Sequence, residues 1–276
     1  LKQKNKITFR IFGVITLEAL IGLLVFYTFL ILITFCNENN LTLYKNILWI
    51  LFPLFIYYLV VYSNKKINKL EVSDFGFRTK KNIFNIGLGI TLGFLVMCSI
   101  LLSFKFFTEG NFRFILIEKS LIYSIIGVLL TSFAIACWEE FFFRGLLFIT
   151  LLKNKVNFHI SAIISSLIFS FSHYYDITHS VWFIGLFFMG YLLCYLYRYT
   201  GSIWSVVGFH FIWDFLVFVI GDQTVDAVLI DIPFIAGYEQ QLYIIMTIIL
   251  GVTLIVFELS IRKTNRLISQ LNQTYY

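Results

Sequence analysis

Charged residues are scarce in this 276-residue chain. Asp, Glu, Lys and Arg together make up 13% of it, where an ordinary soluble domain carries about 25%. That shortage leaves little polar surface for a soluble domain of any size. Thiol motifs are missing as well. The four cysteines, Cys36, Cys98, Cys137 and Cys194, are scattered, form no Cys-x-x-Cys pair, and fall within or at the ends of apolar runs, which fits small packing residues better than redox or metal chemistry. There is no Gly-x-Ser-x-Gly, so no nucleophile elbow is expected. No basic run carries interleaved aromatics, and the net charge of +6 comes from Lys and Arg flanking apolar segments, which argues against a nucleic-acid surface.

Apolar mass is abundant. Hydrophobic residues reach 59%, Phe alone numbers 33, and the mean hydropathy is +0.87. The expected fold class is all-α, a polytopic transmembrane helical bundle using residues 1–276 as a single integral-membrane domain. Eight spans are expected, near Ile11–Cys36, Ile47–Ser63, Ile83–Phe104, Ile126–Leu152, Phe158–His173, Val181–Tyr197, Ile203–Ile220 and Leu242–Ser260. A span needs about 20 apolar residues, so the fifth is slightly short. The first apolar run is too long for a signal-peptide core and lacks a small-residue cleavage site, so it reads as a retained span. Pro53 could kink the second. Gly89 and Gly93 form a Gly-x-x-x-Gly in the third, a motif common by chance in apolar segments.

Loop charge alternates. The start of the chain (Lys2, Lys4, Lys6, Arg10), the loop 64–82 (Lys65, Lys66, Lys69, Arg78, Lys80, Lys81), the loop after span four (Lys153, Lys155) and the tail (Arg262, Lys263, Arg266) are basic. The loop 221–241 carries Asp222, Asp226, Asp231 and Glu239 and no base. With an even span count and both termini cytoplasmic, every basic loop falls on the cytoplasmic side.

Against this apolar background three polar intrusions stand out. Glu139, Glu140 and Arg144 lie inside the run Leu121–Leu152, where each costs roughly 2.5–3.5 kcal/mol on insertion scales. Glu140 and Arg144 are four apart and share a helical face in the favourable order for an ion pair. Glu139 points about 100° away and is left as the free carboxylate. Phe169 and His173 share a face at the end of span five, and His210 and Asp214 share one in span seven. Each intrusion alone could be structural: a charge cluster pinning helices, a membrane-edge histidine, a buried pair. At about 1.5 Å per residue, however, Glu139, His173, His210 and Asp214 lie about 20, 22, 10 and 17 Å from their basic-side helix ends, overlapping depths in a core about 30 Å thick. Together they suit a hydrolase. A carboxylate in an apolar, partly wet pocket can act as general base toward water, one imidazole can share that water, and a second with its acid can meet a developing oxyanion.

The ordered set Glu-Glu-x-x-x-Arg, Phe-x-x-x-His, His-x-x-x-Asp resembles the CPBP family of intramembrane proteases, also called Abi or CAAX-protease-like proteins and related to the eukaryotic CAAX prenyl endopeptidases. The resemblance covers residues 121–220 as a catalytic core. It implies that Glu139 activates water with help from His173, that His210 and Asp214 stabilise the oxyanion, and that Glu140 and Arg144 hold the architecture. Eukaryotic members carry Asn where this chain has Asp214. An ionised Asp214 cannot donate a hydrogen bond to an oxyanion, so Asp214 would instead orient His210 or be protonated. Zinc is the one cofactor to consider, since Glu139, His173 and His210 could form a His₂Glu set, although not an H-E-x-x-H. A metal-independent glutamate mechanism is favoured. His159 and His179 match no motif.

The implied substrate is a peptide or protein entering from the membrane or its interface, small and hydrophobic or lipidated. The setting is a multi-pass cell membrane, bacterial by the Ile-, Phe-, Lys- and Asn-rich composition. Bacteriocin or signal-peptide maturation and self-immunity are the roles that the resemblance to bacterial members of the family implies. A non-catalytic scaffold or immunity protein, and a transporter with charges along its pathway, are the alternatives. The sequence does not set the oligomeric state.

Overall fold

The computed structural model describes residues 2–77, 81–108, 113–114, 119–173, 180–220, 230–231 and 235–274. Among these, nine α-helices follow the apolar runs: α1 Lys2–Glu38, α2 Thr42–Ser63, α3 Asn82–Thr108, α4 Lys119–Phe142, α5 Ile149–Lys153, α6 Phe158–Ser172, α7 Ser180–Thr200, α8 Ile203–Val219 and α9 Ile235–Thr274. A single π-helical turn, Phe143–Phe148, joins α4 to α5, so the fourth span is one continuous rod over Ile122–Lys153. Six helical segments are long and apolar enough to cross a membrane, while α6 and α8 are shorter apolar helices. The protein is an all-α helical membrane bundle. His179, Arg78, Lys80, Asp222 and Asp226 lie outside the described residues. α9 begins at Ile235, inside the stretch expected as loop, and a two-residue antiparallel ladder pairs Arg113 with Asp231 and Phe114 with Ile230.

The alternation of helices puts the connections on two faces. One face, here the turn face, carries the α1–α2, α3–α4, α6–α7 and α8–α9 connections. The ladder between residues 113–114 and 230–231 ties two of them together. The opposite, basic face carries the α2–α3, α5–α6 and α7–α8 connections. There Ile203 N–H donates to the Gly76 carbonyl at 3.1 Å and the Trp204 indole donates to the Phe77 carbonyl at 3.0 Å. Gly76, at φ +80°, takes the left-handed conformation this turn requires, and it drives Phe75 and Phe77 into the core beneath the N-terminus of α8.

α3 and α8 run side by side from the basic face, and small residues set their spacing. A methyl group on Gly89 would run into the Ser205 carbonyl oxygen, one on Gly93 into the Phe209 carbonyl oxygen, and one on Gly208 into the Ile86 carbonyl oxygen. The Gly-x-x-x-Gly of span three is therefore a close-packing surface, and it fixes the helix that carries His210 and Asp214. The sequence could not reveal this because the third glycine of the contact lies over a hundred residues away. Replacing Gly89 by alanine forces two backbones apart, and small-to-large changes of this kind cost about 1–3 kcal/mol. A lower midpoint of thermal unfolding in detergent, with a smaller loss for alanine at the open Gly87, is the expected result.

Candidate active site

The local structure of the fourth span follows from its polar intrusion. An α-helix through residues 143–148 would satisfy its own carbonyls. The π-turn widens it and leaves carbonyls for outside donors. Ser165 Oγ on α6 donates to the Phe143 carbonyl at 3.0 Å, and Asn64 Nδ2, at the end of α2, donates to the Gly145 carbonyl at 2.9 Å. Both donors are fully buried. π-Turns of this kind concentrate at functional sites, and this one, Phe143–Phe148, contains Arg144 and begins just after the α4 turn that carries Glu139 and Glu140. Neither donor was marked by the sequence analysis. The only hint is that Asn64 and Ser165 are polar residues at an apolar helix end and on an apolar helix.

Glu140 and Arg144 pair as the helical spacing requires: Arg144 Nη1 donates to Glu140 Oε1 at 2.7 Å, with both side chains completely buried. Arg144 Nη2 reaches the Gly190 carbonyl of α7 at 3.1 Å, and the guanidinium lies over the Phe169 ring, 4.8 Å from its centre. The pairing is wider than the sequence suggested. His210 Nδ1 on α8 also meets Glu140 Oε1, at 2.7 Å. Glu140 thus couples the α4 cluster to α8 as well as to Arg144.

His173 stands at the C-cap of α6. Its Nδ1 lies 2.9 Å from the Phe169 carbonyl and 3.2 Å from Ser172 Oγ. The carbonyl can only accept, so Nδ1 carries the proton and, in the neutral ring, Nε2 is left as an acceptor. That Nε2 points at Glu139, 3.9 Å from Oε2. His210 Nε2 approaches the same oxygen at 3.8 Å and Asp214 Oδ1 at 3.4 Å. With Nδ1–H held by Glu140, His210 can donate from Nε2 to an oxyanion only as the imidazolium. Phe169 sits between the two histidines, its ring centre 4.9 Å from His173 and 5.9 Å from His210. The structure therefore brings all seven residues singled out from the sequence into one cluster. His159 lies apart, with Nδ1 2.8 Å from the Tyr191 hydroxyl.

Three buried carboxylate oxygens in this cluster, Glu139 Oε2, Glu140 Oε2 and Asp214 Oδ2, have no hydrogen-bond partner. Of these residues only Glu139 and Asp214 line a cavity, one of about 240 Å³, with His173 and His210 beside them and Phe26, Trp49, Trp182, Met189 and Trp213 around them. Gaps of 3.8–3.9 Å from Glu139 to the two imidazoles are too long for hydrogen bonds and suit a water held between them. Among the described residues, no group of three or more His, Cys, Asp or Glu side chains is arranged to hold a metal ion.

Residues 121–216 match the family described as type II CAAX prenyl endopeptidase, Rce1-like. This segment is CAAX-protease-like. The match begins on α4 and ends on α8, so it spans every helix that contributes to the cluster. The family is one of CAAX prenyl endopeptidases, which are membrane proteases, and the matched segment includes each of the three paired motifs. No curated protein matches the chain.

Proposed function

We propose that the protein is an intramembrane endopeptidase in which Glu139 activates a water molecule to hydrolyse a peptide bond. The observation that carries this reading is the unpartnered Glu139 Oε2, buried and flanked by the Nε2 atoms of His173 and His210. A water in that gap gives one proton to Glu139 and is oriented by the His173 acceptor. Its oxygen attacks the scissile carbonyl, and Glu139 then returns the proton to the leaving amine. His210, charged and held through Nδ1 by Glu140, donates from Nε2 to the oxyanion. Asp214 sets the position of His210 and balances its charge, since an ionised carboxylate has no proton to offer.

The substrate in this reading is a small hydrophobic or lipidated peptide. A second, larger groove of about 700 Å³ runs between α2 and α4, is lined by Ile50, Leu54, Leu130, Phe133 and Phe141 among others, and shares Trp49 with the catalytic cavity. It is wide enough to hold an apolar chain while the adjacent peptide enters the cavity. Maturation of an exported peptide in a bacterial membrane fits this arrangement, as does self-immunity.

Water is activated here without a metal. The purified protein in detergent or liposomes should cleave a panel of apolar peptides, read by product mass, with its rate unchanged by strong chelators. Loss of the rate on chelation, restored by zinc with stoichiometric bound metal, would overturn this part of the mechanism. Absence of any cleavage, with function surviving Glu139→Gln, would favour the scaffold alternative.

A further inference from the structure

On α2 the stripe Trp49, Phe52, Ile56 and Val60 recurs at helical spacing and faces the bundle, with Phe52, Ile56 and Val60 buried. The neighbouring stripe, Ile50, Leu54 and Tyr57, lines the groove of about 700 Å³. Trp49 stands at the boundary of the two. Among the described residues it alone lines both the catalytic cavity and the groove. The partition beside it is built of rings. Phe29 of α1 stacks on Phe52, their centres 3.9 Å apart. Phe52 meets Trp138 of α4 edge-on at 5.3 Å, and Trp138 stacks on Phe26 at 4.8 Å. Phe29, Phe52 and Trp138 are all buried, and close packing holds this part of the wall shut. Trp49 leans edge-on against Phe29 at 5.0 Å and is only half-buried. It forms the edge of the partition, with open space on both sides.

The catalytic cavity, at about 240 Å³, is smaller than the roughly 300–1,000 Å³ of ordinary ligand pockets, and by itself it seats only a short stretch of substrate. The groove, at about 700 Å³, falls within that range. A substrate with its scissile bond in the cavity and an apolar group in the groove passes Trp49 between the two. The indole there fills space that a substrate side chain would otherwise take. We propose that Trp49 is a specificity-determining residue: it limits the size of the substrate side chain next to the scissile bond, admitting a small residue and turning away an aromatic one. This deepens the proteolytic reading above and rests on it for the bond that is cut; the size limit itself stands on the place of Trp49 between cavity and groove.

Two apolar peptides, identical except for one central residue that is alanine or phenylalanine, are the probes. Cleavage at the bond beside that residue by the purified full-length protein, read by product mass, gives kcat/KM for each. The native chain should favour the alanine peptide by about 10–200-fold, the range over which an apolar pocket discriminates by size. Trp49→Ala should narrow that preference by about 10-fold or more, through faster cleavage of the phenylalanine peptide. Trp49→Phe keeps a ring against Phe29 and should narrow it by less, so the direction of change can still be read should the alanine variant fail to fold. Ile50→Ala widens the groove without opening the partition and should leave the ratio as it is. The same ratio is measured without turnover, by fluorescence anisotropy of the two labelled peptides on chains that also carry Glu139→Gln. A native chain that takes both peptides equally overturns the proposal, as does a ratio that neither Trp49 variant moves, or that Ile50→Ala moves as far as Trp49→Ala. If the binding ratio shifts with Trp49 while the native chain cuts neither peptide, the size limit holds and the proteolytic reading is what fails.

Discussion

Replacing Glu139 by glutamine is expected to lower the cleavage rate by about 10²–10⁴-fold, the usual contribution of a positioned general base, with the protein still inserted and folded. Glutamine keeps the size and shape of the side chain, so the lining of the cavity that Glu139 shares with Phe26, Phe29 and Trp138 is undisturbed. What it removes is the lone oxygen that can take a proton from water. Glu139 Oε2 has no hydrogen-bond partner in the structure, so its loss breaks no structural bond. An activity assay with thermal unfolding of the same sample separates the two effects: the rate should collapse and the unfolding midpoint should stay. Replacing His173 by alanine should lower the rate through the same water while also removing one of two side-chain donors to the Phe169 carbonyl, the Ser172 hydroxyl remaining, so its stability loss should be the larger of the two.

Replacing Arg144 by leucine is expected to be the most destabilising change in the cluster. Arg144 faces Glu140 beside the His210 imidazolium in a site where Arg144 and Glu140 are wholly buried, and removing one member of such a buried pair typically costs about 3–5 kcal/mol because negative charge is left in excess. The loss should show as a markedly lower unfolding midpoint in detergent. A second change, Glu140→Leu in the same chain, removes the orphaned charge and should restore much of that stability. It should not restore cleavage, because Glu140 also holds His210 through Nδ1 at 2.7 Å. If the double variant regained activity, Glu140 would be a packing residue alone.

The parts of this site within one helix were legible in the sequence, and the parts between helices were not. Spacing of four residues places Glu140 beside Arg144 and His210 beside Asp214, and both contacts are present at 2.7 and 3.4 Å. The same spacing set the Phe169 ring against His173. The eight apolar runs correspond to the helices because burial in lipid demands long apolar segments with internally satisfied backbone. The Glu140–His210 contact spans seventy residues of sequence, and no local periodicity encodes it. The same holds for the π-turn, whose carbonyl partners Asn64 and Ser165 come from two other helices. Gly89 and Gly93 were visible as a pattern, but only the approach of Ser205 and Phe209 gives the pattern its meaning. The pocket linings are similarly non-local: Trp49 joins the catalytic cavity to the apolar groove, although nothing around it in the sequence marks it.

The claim on which the rest depends is that Glu139 drives direct attack by water, with no covalent intermediate. Single-turnover cleavage of one identified peptide by the purified protein, with hydroxylamine present as a competing nucleophile, tests it most directly. The account predicts that the new carboxyl terminus forms as a free acid, undiverted by hydroxylamine, and that Glu139→Gln yields no product on the same timescale. A hydroxamate product, or cleavage by Glu139→Gln at the unaltered rate, would contradict it.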